Sequence, residues 1–253
     1  MDLGLKGKRA IVTGGSRGIG RAICEALAQE GVAIATCARG EDGVLEAVEA
    51  LRAHGVEAIG EALDVRDEAA FGAWVERSAQ AMGGIDIVIS NVSTRLDPND
   101  ANWWRDSFDA DLMQHVRLKA LAMPHMADRG AFVFLASVAA SLATLPAYEE
   151  AYGAMKAALV NLVGQWAQTC GPRGIRVNAV SPGPIDFPGG WWDKVRQASP
   201  EGYTRAGKMA ALGRLGTPEE VAATVAFLAS PRAGFITGAN IRIDGGLIKS
   251  ANF

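Results

Sequence analysis

Short apolar segments alternate with longer amphipathic segments along the whole chain of 253 residues. The apolar segments are too short for helices and too uniformly hydrophobic to have one face in water. Each therefore predicts a strand buried on both faces of a sheet. The predicted strands span residues 9–13, 32–37, 57–63, 85–90, 131–136, 176–180 and 240–243.

The segments between these strands have the periodicity of amphipathic helices, and the clearest span residues 18–29, 44–53, 68–81 and 218–228. The last has a strong start signal, because Thr217 can cap the helix, Pro218 fits its first turn, and two glutamates follow near its positive end. Repeated strand–helix alternation predicts a parallel sheet with right-handed crossovers. We expect one domain over residues 1–253, a Rossmann-like doubly wound α/β fold with a mostly parallel, seven-stranded sheet and helices on both faces.

One segment interrupts this alternation. Residues 182–212 are rich in Pro, Gly and Trp, and they follow the carboxyl end of a predicted strand, where doubly wound sheets bind ligands. A long irregular segment inside a compact domain is usually functional. We therefore predict a substrate loop over residues 183–212.

Charge and composition exclude several classes of function. The formal net charge is -3 at pH 7 and the basic residues are spread along the chain, unlike the clustered basic face that binds nucleic acid. No secretory signal opens the sequence, and no apolar segment reaches the roughly 20 residues of a membrane span. A cytoplasmic protein without a membrane span is expected. Cys24, Cys37 and Cys170 lack metal-ligand or redox spacing, so we interpret them as small buried hydrophobes and expect no metal site.

A glycine-rich turn follows the first predicted strand and leads directly into a helix. Gly14 permits the tight turn, Gly18 lets a pyrophosphate approach the backbone, and Gly20 allows close packing of the helix on the strand. The phosphates would meet the exposed amides and the positive end of the helix dipole. Strand, turn and helix in this order indicate a dinucleotide site.

The residues near this turn favour NADP(H) over NAD(H). A chain that binds NAD usually has an acid after the second strand to hold the ribose 2′-hydroxyl, but here Arg39 follows that strand. Together with Ser16 and Arg17 of the glycine turn, Arg39 can surround a 2′-phosphate with charge-assisted hydrogen bonds. NAD remains the alternative, because Glu41 and Asp42 follow closely.

Tyr152 and Lys156 form the candidate catalytic pair. Their spacing puts both side chains on one face of a helix. A free phenol has a pKa near ~10, and a nearby ammonium stabilises the phenolate and lowers that value. The phenol could then exchange a proton with an alkoxide while hydride moves to or from nicotinamide. Lys156 could also hold the nicotinamide ribose.

With these motifs in order, the chain resembles the short-chain dehydrogenase/reductase family nearly from end to end. The glycine turn, including Ile19, fits the cofactor turn of that family, and Tyr152 and Lys156 fit its catalytic pair. Residues 176–183 and 238–246 resemble the stretch that closes over nicotinamide and the C-terminal strand and turn.

The resemblance implies further cofactor contacts. Asp64, which Val65 follows, would contact the adenine ring, and Asn91 would support the adenosine ribose. Pro182 and Gly183 belong to the stretch that closes over nicotinamide, with Ile185 near the carboxamide.

Two polar residues depart from the family pattern near the active site. Ser93 replaces the last glycine of the segment after the fourth strand, where its bulk could shift the backbone. Asp111 occupies the place of the asparagine that holds a water in the proton relay. A carboxylate can hold that water too, but it adds a negative charge beside Lys156. We expect a slower or pH-shifted relay.

The serine that orients the substrate carbonyl is a third departure from the family pattern. Ser137 closes a predicted strand, as the catalytic serine of the family does, but two extra residues separate it from the tyrosine. Ser141 is the alternative. Tyr148 is interpreted as part of the wall, and Asp186 and Phe187 replace a cofactor-holding threonine that the family often has.

Aromatic residues near the expected pocket predict a broad apolar or ring-shaped carbonyl or alcohol substrate. The four tryptophans are Trp103, Trp104, Trp191 and Trp192, and the first two could equally be helix-packing residues. The resemblance implies a homotetramer, with a dimer as the next expectation.

We therefore predict an NADP(H)-dependent oxidoreductase that interconverts a ketone and a secondary alcohol. Tyr152 is the general acid/base, Lys156 tunes it, Ser137 orients the carbonyl, and Asp111 occupies the relay position. The alternatives are an NAD-linked alcohol dehydrogenase and a nucleotide-binding regulatory protein with reduced catalysis.

Overall fold

A computed structural model describes residues 2–94 and 101–250, and in this part of the chain seven parallel strands form one sheet. The strands are β1 (Arg9–Thr13), β2 (Ala33–Ala38), β3 (Ala58–Ala62), β4 (Ile85–Ser90), β5 (Met126–Leu135), β6 (Arg176–Pro182) and β7 (Asn240–Ile243). Their order is β3-β2-β1-β4-β5-β6-β7, so the chain runs outward from β1 and then returns to its other side. The predicted doubly wound fold is confirmed.

Helices cover both faces of this sheet. Within the described residues they are α1 (Gly18–Gln29), α2 (Glu41–Arg52), α3 (Glu68–Met82), α4 (Trp103–Phe108), α5 (Gln114–Ala122), α6 (Glu150–Cys170), α7 (Trp191–Ala198), α8 (Pro200–Met209) and α9 (Pro218–Ala229). Apolar residues of α1, α2 and α9 form one core with the sheet, and those of α3, α5 and α6 form the other. Uniformly apolar strands suit this arrangement, because neither sheet face meets water.

Strand β5 begins five residues earlier than the predicted start at residue 131. The register with β4 passes from Ile85–Met126 to Ile87–Ala131, so the residues between form a bulge. Arg129 in this bulge has a left-handed φ of 63°. The polar residues of the bulge conceal the start of the strand from a reading based on hydrophobic runs.

The predicted irregular loop contains two short helices, which corrects the sequence interpretation. The Ser199 hydroxyl accepts a hydrogen bond from the Gly202 N–H and caps α8, whose first residue is Pro200. The same type of signal starts α9. The segment is tied down by the Tyr203 hydroxyl, which donates to Asp186 at 2.8 Å. Residues 183–212, which follow the carboxyl end of β6, are therefore a structured segment, and we call it the flap.

The two halves of the sheet meet between β1 and β4, where the strand order reverses. Asn91, just after β4, holds the turn after β1, because its side-chain amide donates to the carbonyl of Thr13 at 3.1 Å. Doubly wound sheets bind ligands at such a reversal. None of the described helices combines the length and apolarity needed to cross a membrane.

Candidate active site

A cleft of about 650 Å³ lies at this reversal of strand order. Its walls come from the glycine turn, the end of β2, and the segments after β3 and β4. Among the lining residues are most of those predicted to hold a dinucleotide, namely Gly14, Ser16, Arg17, Ile19, Gly20, Arg39, Asp64, Val65 and Asn91. The structure therefore brings residues from four separate segments to one site.

The glycine turn has the geometry that its sequence predicts. Gly14 and Gly18 have left-handed φ values of 74° and 55°. A Cβ on Gly20 would lie 2.1 Å from the Gly14 carbonyl oxygen, so only glycine allows the helix to pack this closely. No side chain caps the start of α1, and its first N–H groups can bind an anion such as a pyrophosphate. The turn fits a dinucleotide.

Phe187 covers one face of this turn. A Cβ placed on Gly18 would meet the Phe187 ring at 2.6 Å, and Phe187 also lines the cleft. Pro182, Gly183 and Ile185 from the same stretch are not among the lining residues. Gly183 donates its N–H to Ile243, while Ile185 is buried in the core and bridges to Gly216. In this structure Phe187 reaches the cleft, and those three residues anchor the flap.

The charges at the adenosine end of the cleft favour a phosphate. Arg17 and Arg39 are exposed there, and neither forms an ion pair with an acid in the described part of the chain. Asp64 is already paired, because the Arg66 guanidinium donates to its carboxylate at 2.7 Å. That hydrogen bond lowers the pKa of Asp64 despite partial burial. Two positive charges thus remain for an anionic group.

Helix α6 carries the predicted tyrosine and lysine. Lys156 is buried, and its Nζ lies 5.7 Å from the centre of the Tyr152 ring. The Lys156 ammonium donates to the Leu135 carbonyl at 2.9 Å, which ties α6 to the end of β5. The helical spacing therefore brings the two side chains together, as expected.

Two further groups approach the ammonium. Lys156 Nζ lies 3.4 Å from Asp111 Oδ1 and 3.5 Å from His115 Nε2. With Leu135 there are three acceptors for the three N–H donors of a lysine. A ribose hydroxyl could bind Lys156 only by replacing one of them.

Burial controls the ionisation of this cluster. Asp111 and His115 are fully inaccessible to solvent. Burial raises the pKa of Asp111, although attraction to Lys156 opposes the rise. Burial also lowers the pKa of Lys156, although the negative charge of Asp111 acts to raise it. Burial and the charge of Lys156 hold the pKa of His115 well below its usual value, so the imidazole is neutral.

His115 was not singled out by the sequence analysis. Its Nδ1 lies 2.6 Å from the buried Ser90 hydroxyl, which orients the ring towards Lys156. A π-helical turn at Asp109–Met113 lies between α4 and α5 and carries Asp111. The sequence contains a signal for this residue, because Asp111 and His115 are four residues apart and can share one helix face.

Ser93 forms a hydrogen bond that its interpretation as added bulk did not include. Its hydroxyl donates to Asp111 Oδ1 at 2.6 Å, and the Thr94 N–H donates to the same oxygen at 3.2 Å. Asp111 Oδ2 is buried and has no hydrogen-bond partner among the described residues. Ser93 itself is exposed and lines the cleft. It therefore connects the cleft to the buried carboxyl group.

The pKa of Tyr152 departs from the sequence expectation. Burial of the phenol raises this pKa and the charge of Asp111 raises it further, while the hydroxyls of Ser137 and Ser93 act on the phenol and lower it. The net direction is upward, and Lys156 is not among the groups that shift this pKa. The ammonium is surrounded by its own acceptors, and Asp111 opposes its charge.

Ser137, the preferred candidate for orienting the carbonyl, lies beside the tyrosine. It follows β5 and its hydroxyl accepts a hydrogen bond from the Ala139 N–H at the start of a short 3-10 helix, Val138–Ser141. The same hydroxyl is one of the groups that lower the pKa of the Tyr152 phenol against the effect of burial. Ser141, the alternative, is exposed at the far end of that helix. The structure thus favours Ser137.

None of the four highlighted tryptophans lines the cofactor cleft. Trp103 packs against Trp104 at the start of α4, with ring centres 5.2 Å apart. Trp191 is exposed near the start of the flap. Met209 and Leu212, two other large apolar residues, are exposed near its end. The flap could therefore present an apolar surface to a substrate.

Comparison with known proteins agrees with this geometry. A family model described as enoyl-(acyl carrier protein) reductase matches residues 14–248. The chain belongs to the short-chain dehydrogenase/reductase family. As a member of this family it is an oxidoreductase that acts on ketone or alcohol substrates.

Similar members of the short-chain dehydrogenase/reductase family span the whole chain. Isoepoxydon dehydrogenase patN of Penicillium expansum is 35% identical over 257 residues, which cover 100% of this chain and 99% of the relative. Cis-4-hydroxycyclohexanecarboxylate dehydrogenase of Sinomonas cyclohexanicum is 37% identical over 248 residues, which cover 94% of this chain and 95% of the relative. A solved structure of L-sorbose reductase from Gluconobacter frateurii, complexed with NADPH and L-sorbose, is 32% identical with a TM-score of 0.90 and covers 99% of this chain and 100% of that chain.

Proposed function

We propose that this protein interconverts a ketone and a secondary alcohol with NADP(H), and that Tyr152 is the general acid/base. The observation that carries the proposal is the pairing of Tyr152 with Lys156 on α6, which Asp111 connects to Ser93 in the wall of a cleft that fits a dinucleotide. A bound nicotinamide cofactor supplies or accepts the hydride. Ser137 orients the carbonyl oxygen, and Tyr152 gives that oxygen a proton or removes one.

The preference for NADP(H) rests on Arg17, Arg39 and Ser16. Two guanidinium groups without an acidic partner among the described residues can bind a 2′-phosphate, whereas the ribose 2′-hydroxyl of NAD needs an acceptor. Asp64, the nearest acid that lines the cleft, is engaged by Arg66. The NADPH in the sorbose reductase complex supports the same choice.

For the substrate we propose a cyclic, partly polar ketone or its alcohol. One relative is named for isoepoxydon and another for cis-4-hydroxycyclohexanecarboxylate, and the sorbose reductase structure contains L-sorbose. The exposed apolar residues of the flap suit one face of such a ring. The hydroxyl groups of Ser137 and Ser93 near Tyr152 suit the polar edge of such a substrate.

Oligomeric state and location are further proposals. We propose a homotetramer, which large exposed apolar residues outside the cleft support, namely Trp104, Phe108 and Phe235. Cytoplasmic location remains a prediction from the sequence.

The test is NADPH consumption with a panel that contains 4-oxocyclohexanecarboxylate, cyclohexenones, L-sorbose and a 3-oxoacyl thioester. We expect turnover of at least one cyclic ketone, and a loss of about 100-fold or more in Tyr152→Phe, because the phenolic proton is gone. Tyr203→Phe is the matched control and should lose far less. NADPH binding without any reduction would favour the regulatory alternative, and tighter binding of NADH than NADPH would favour the NAD-linked one.

A further inference from the structure

Arg66 lines the cofactor cleft, and acids hold its guanidinium group at both edges. Its Nε and Nη2 donate to the Asp64 carboxylate, with Nη2 2.7 Å from Oδ2. Its Nη1 lies 3.4 Å from Oδ1 of Asp106, which belongs to α4. A bidentate arginine–carboxylate pair is the geometry in which an exposed ion pair fixes a side chain. The Arg66 guanidinium therefore has a set orientation at the adenosine end of the cleft.

Arg66 also fills the acceptor positions of the Asp64 carboxylate. Asp64 Oδ1 accepts the Arg66 backbone N–H at 3.0 Å and its Nε at 3.1 Å. Asp64 Oδ2 accepts Nε at 3.1 Å and Nη2 at 2.7 Å. A carboxylate offers about four lone-pair sites, and these contacts occupy them. An adenine amino group would have to displace Arg66 in order to bind Asp64, so the adenine contact that the family resemblance implies for Asp64 is already taken.

The charges around Arg66 suit a neutral ring better than a phosphate. Two carboxylates, Asp64 and Asp106, flank its single positive charge, so an anion would meet net negative charge there. Arg17 and Arg39 differ, because neither pairs with an acid in the part of the chain that the structure describes. The adenosine end of the cleft therefore has one part that suits an anion and another that suits an uncharged group.

We propose that the adenine ring stacks on the flat face of the Arg66 guanidinium, and that Asp64 and Asp106 hold this face in place. This inference rests on the proposed function. Guanidinium planes stack on aromatic rings and on bases. Because its edges are engaged, the guanidinium is left with its faces, and 40% of the Arg66 side chain is exposed. Leu63 and Val65 also line the cleft and add apolar surface for the base.

The first test compares the Kd of NADPH with that of its hypoxanthine analogue, in which a carbonyl oxygen replaces the exocyclic amino group of adenine. Fluorescence titration of the wild type measures both constants without turnover. We expect them to agree within about threefold, because both bases offer the same flat ring to Arg66. Binding of the analogue that is weaker by about tenfold or more would overturn the inference, since the protein would then bind the amino group directly.

The second test replaces Arg66. We expect Arg66→Ala to raise the Kd of both dinucleotides by about tenfold or more, because the base loses its stacking partner. Arg66→Lys should lose nearly as much, since lysine keeps the charge and can pair with Asp64 but has no flat face. Reduced nicotinamide mononucleotide, which lacks the adenosine half, should bind each variant as it binds the wild type. Arg77→Ala is the matched control, because Arg77 also pairs with a carboxylate, that of Glu61, but does not line the cleft.

An unchanged Kd for NADPH in Arg66→Ala, or its recovery in Arg66→Lys, would refute the stacking role. A weaker Kd for the mononucleotide in Arg66→Ala would refute it as well, because the loss would then not belong to the base. If NADPH binds but no ketone or alcohol is turned over, the proposed function fails while these constants still decide the inference. If NADPH does not bind to the wild type, both fail.

Discussion

The adenosine end of the cleft depends on two arginine side chains. Arg17 belongs to the turn after β1 and Arg39 follows β2, and the register that pairs Thr13 with Cys37 brings the two segments together. Both residue types and their positions could be read from the sequence. Their convergence follows from strand pairing, which makes the cofactor preference a prediction at the scale of single residues.

Reversing the charge of Arg39 should reverse this preference. We expect Arg39→Asp to raise the Kd for NADPH by about tenfold or more, because one charge-assisted hydrogen bond becomes a repulsion. The Kd for NADH should change little or fall, since the new carboxylate can accept the 2′-hydroxyl. Fluorescence titration measures both constants. Arg105→Asp in α4 is the matched control for net charge, and equal losses for both cofactors in Arg39→Asp would contradict the assignment.

The active-site cluster was only partly predictable at this scale. Tyr152 and Lys156 follow from helical spacing, and Ser137 from its place at the end of a strand. The hydrogen bond between Ser93 and Asp111 could not be predicted, because it joins two segments across the fold and depends on the π-helical turn that carries Asp111. The direction of the Tyr152 pKa shift depends on that burial and charge, so it too required the structure.

Among the elements, α9 had the clearest sequence signal and has the clearest cap. Glu220 accepts the Thr217 N–H at 2.9 Å and binds the Arg214 guanidinium, whose Nη2 lies 2.6 Å from Glu220 Oε1. The hydrogen bond from Arg214 is the main cause that lowers the pKa of Glu220 to about 2. The helix packs on α1 and on the core that includes Ile185. A weaker cap should therefore weaken one face of the sheet.

We expect Glu220→Ala to lower the free energy of unfolding at pH 7 by about 1 kcal/mol, the usual value of a helix cap. The folded-state pKa lies below the unfolded value, so the stabilisation is complete above about pH 5 and is lost as pH falls towards 2. Urea unfolding at pH 7 and at pH 3 measures the difference, which should shrink at the lower pH. Glu219→Ala, one position earlier in the same exposed turn, is the control. A difference that grows as pH falls would contradict this account of the cap.

The flap shows why some elements were missed. Helices α7 and α8 are short, and Pro and Gly in this segment suggested irregular structure. The Ser199-Pro200-Glu201 sequence carries the same kind of start signal as Thr217-Pro218-Glu219, and the composition of the segment concealed it. The bulge at the start of β5 was missed for a related reason, since its polar residues interrupt a hydrophobic run.

At the scale of the whole molecule, the order of strands and helices was predictable because both faces of the sheet are covered. Such strands are short, apolar and separated by amphipathic helices, and this pattern is visible in the sequence. The reversal of strand order between β1 and β4 then places the glycine turn and Asn91 at one cleft. Substrate identity does not follow from this architecture, because it depends on the flap and on side chains near Tyr152.

The central claim is that hydride moves between a nicotinamide and a carbonyl carbon beside Tyr152. The most direct measurement uses NADPH carrying deuterium at both C4 positions of the nicotinamide, with whichever ketone of the panel is consumed, and mass spectrometry and NMR of the product. We predict an alcohol with one deuterium on the carbinol carbon, formed by the wild type and nearly absent with Tyr152→Phe. Alcohol without deuterium at that carbon, or equal formation by the variant, would contradict the account.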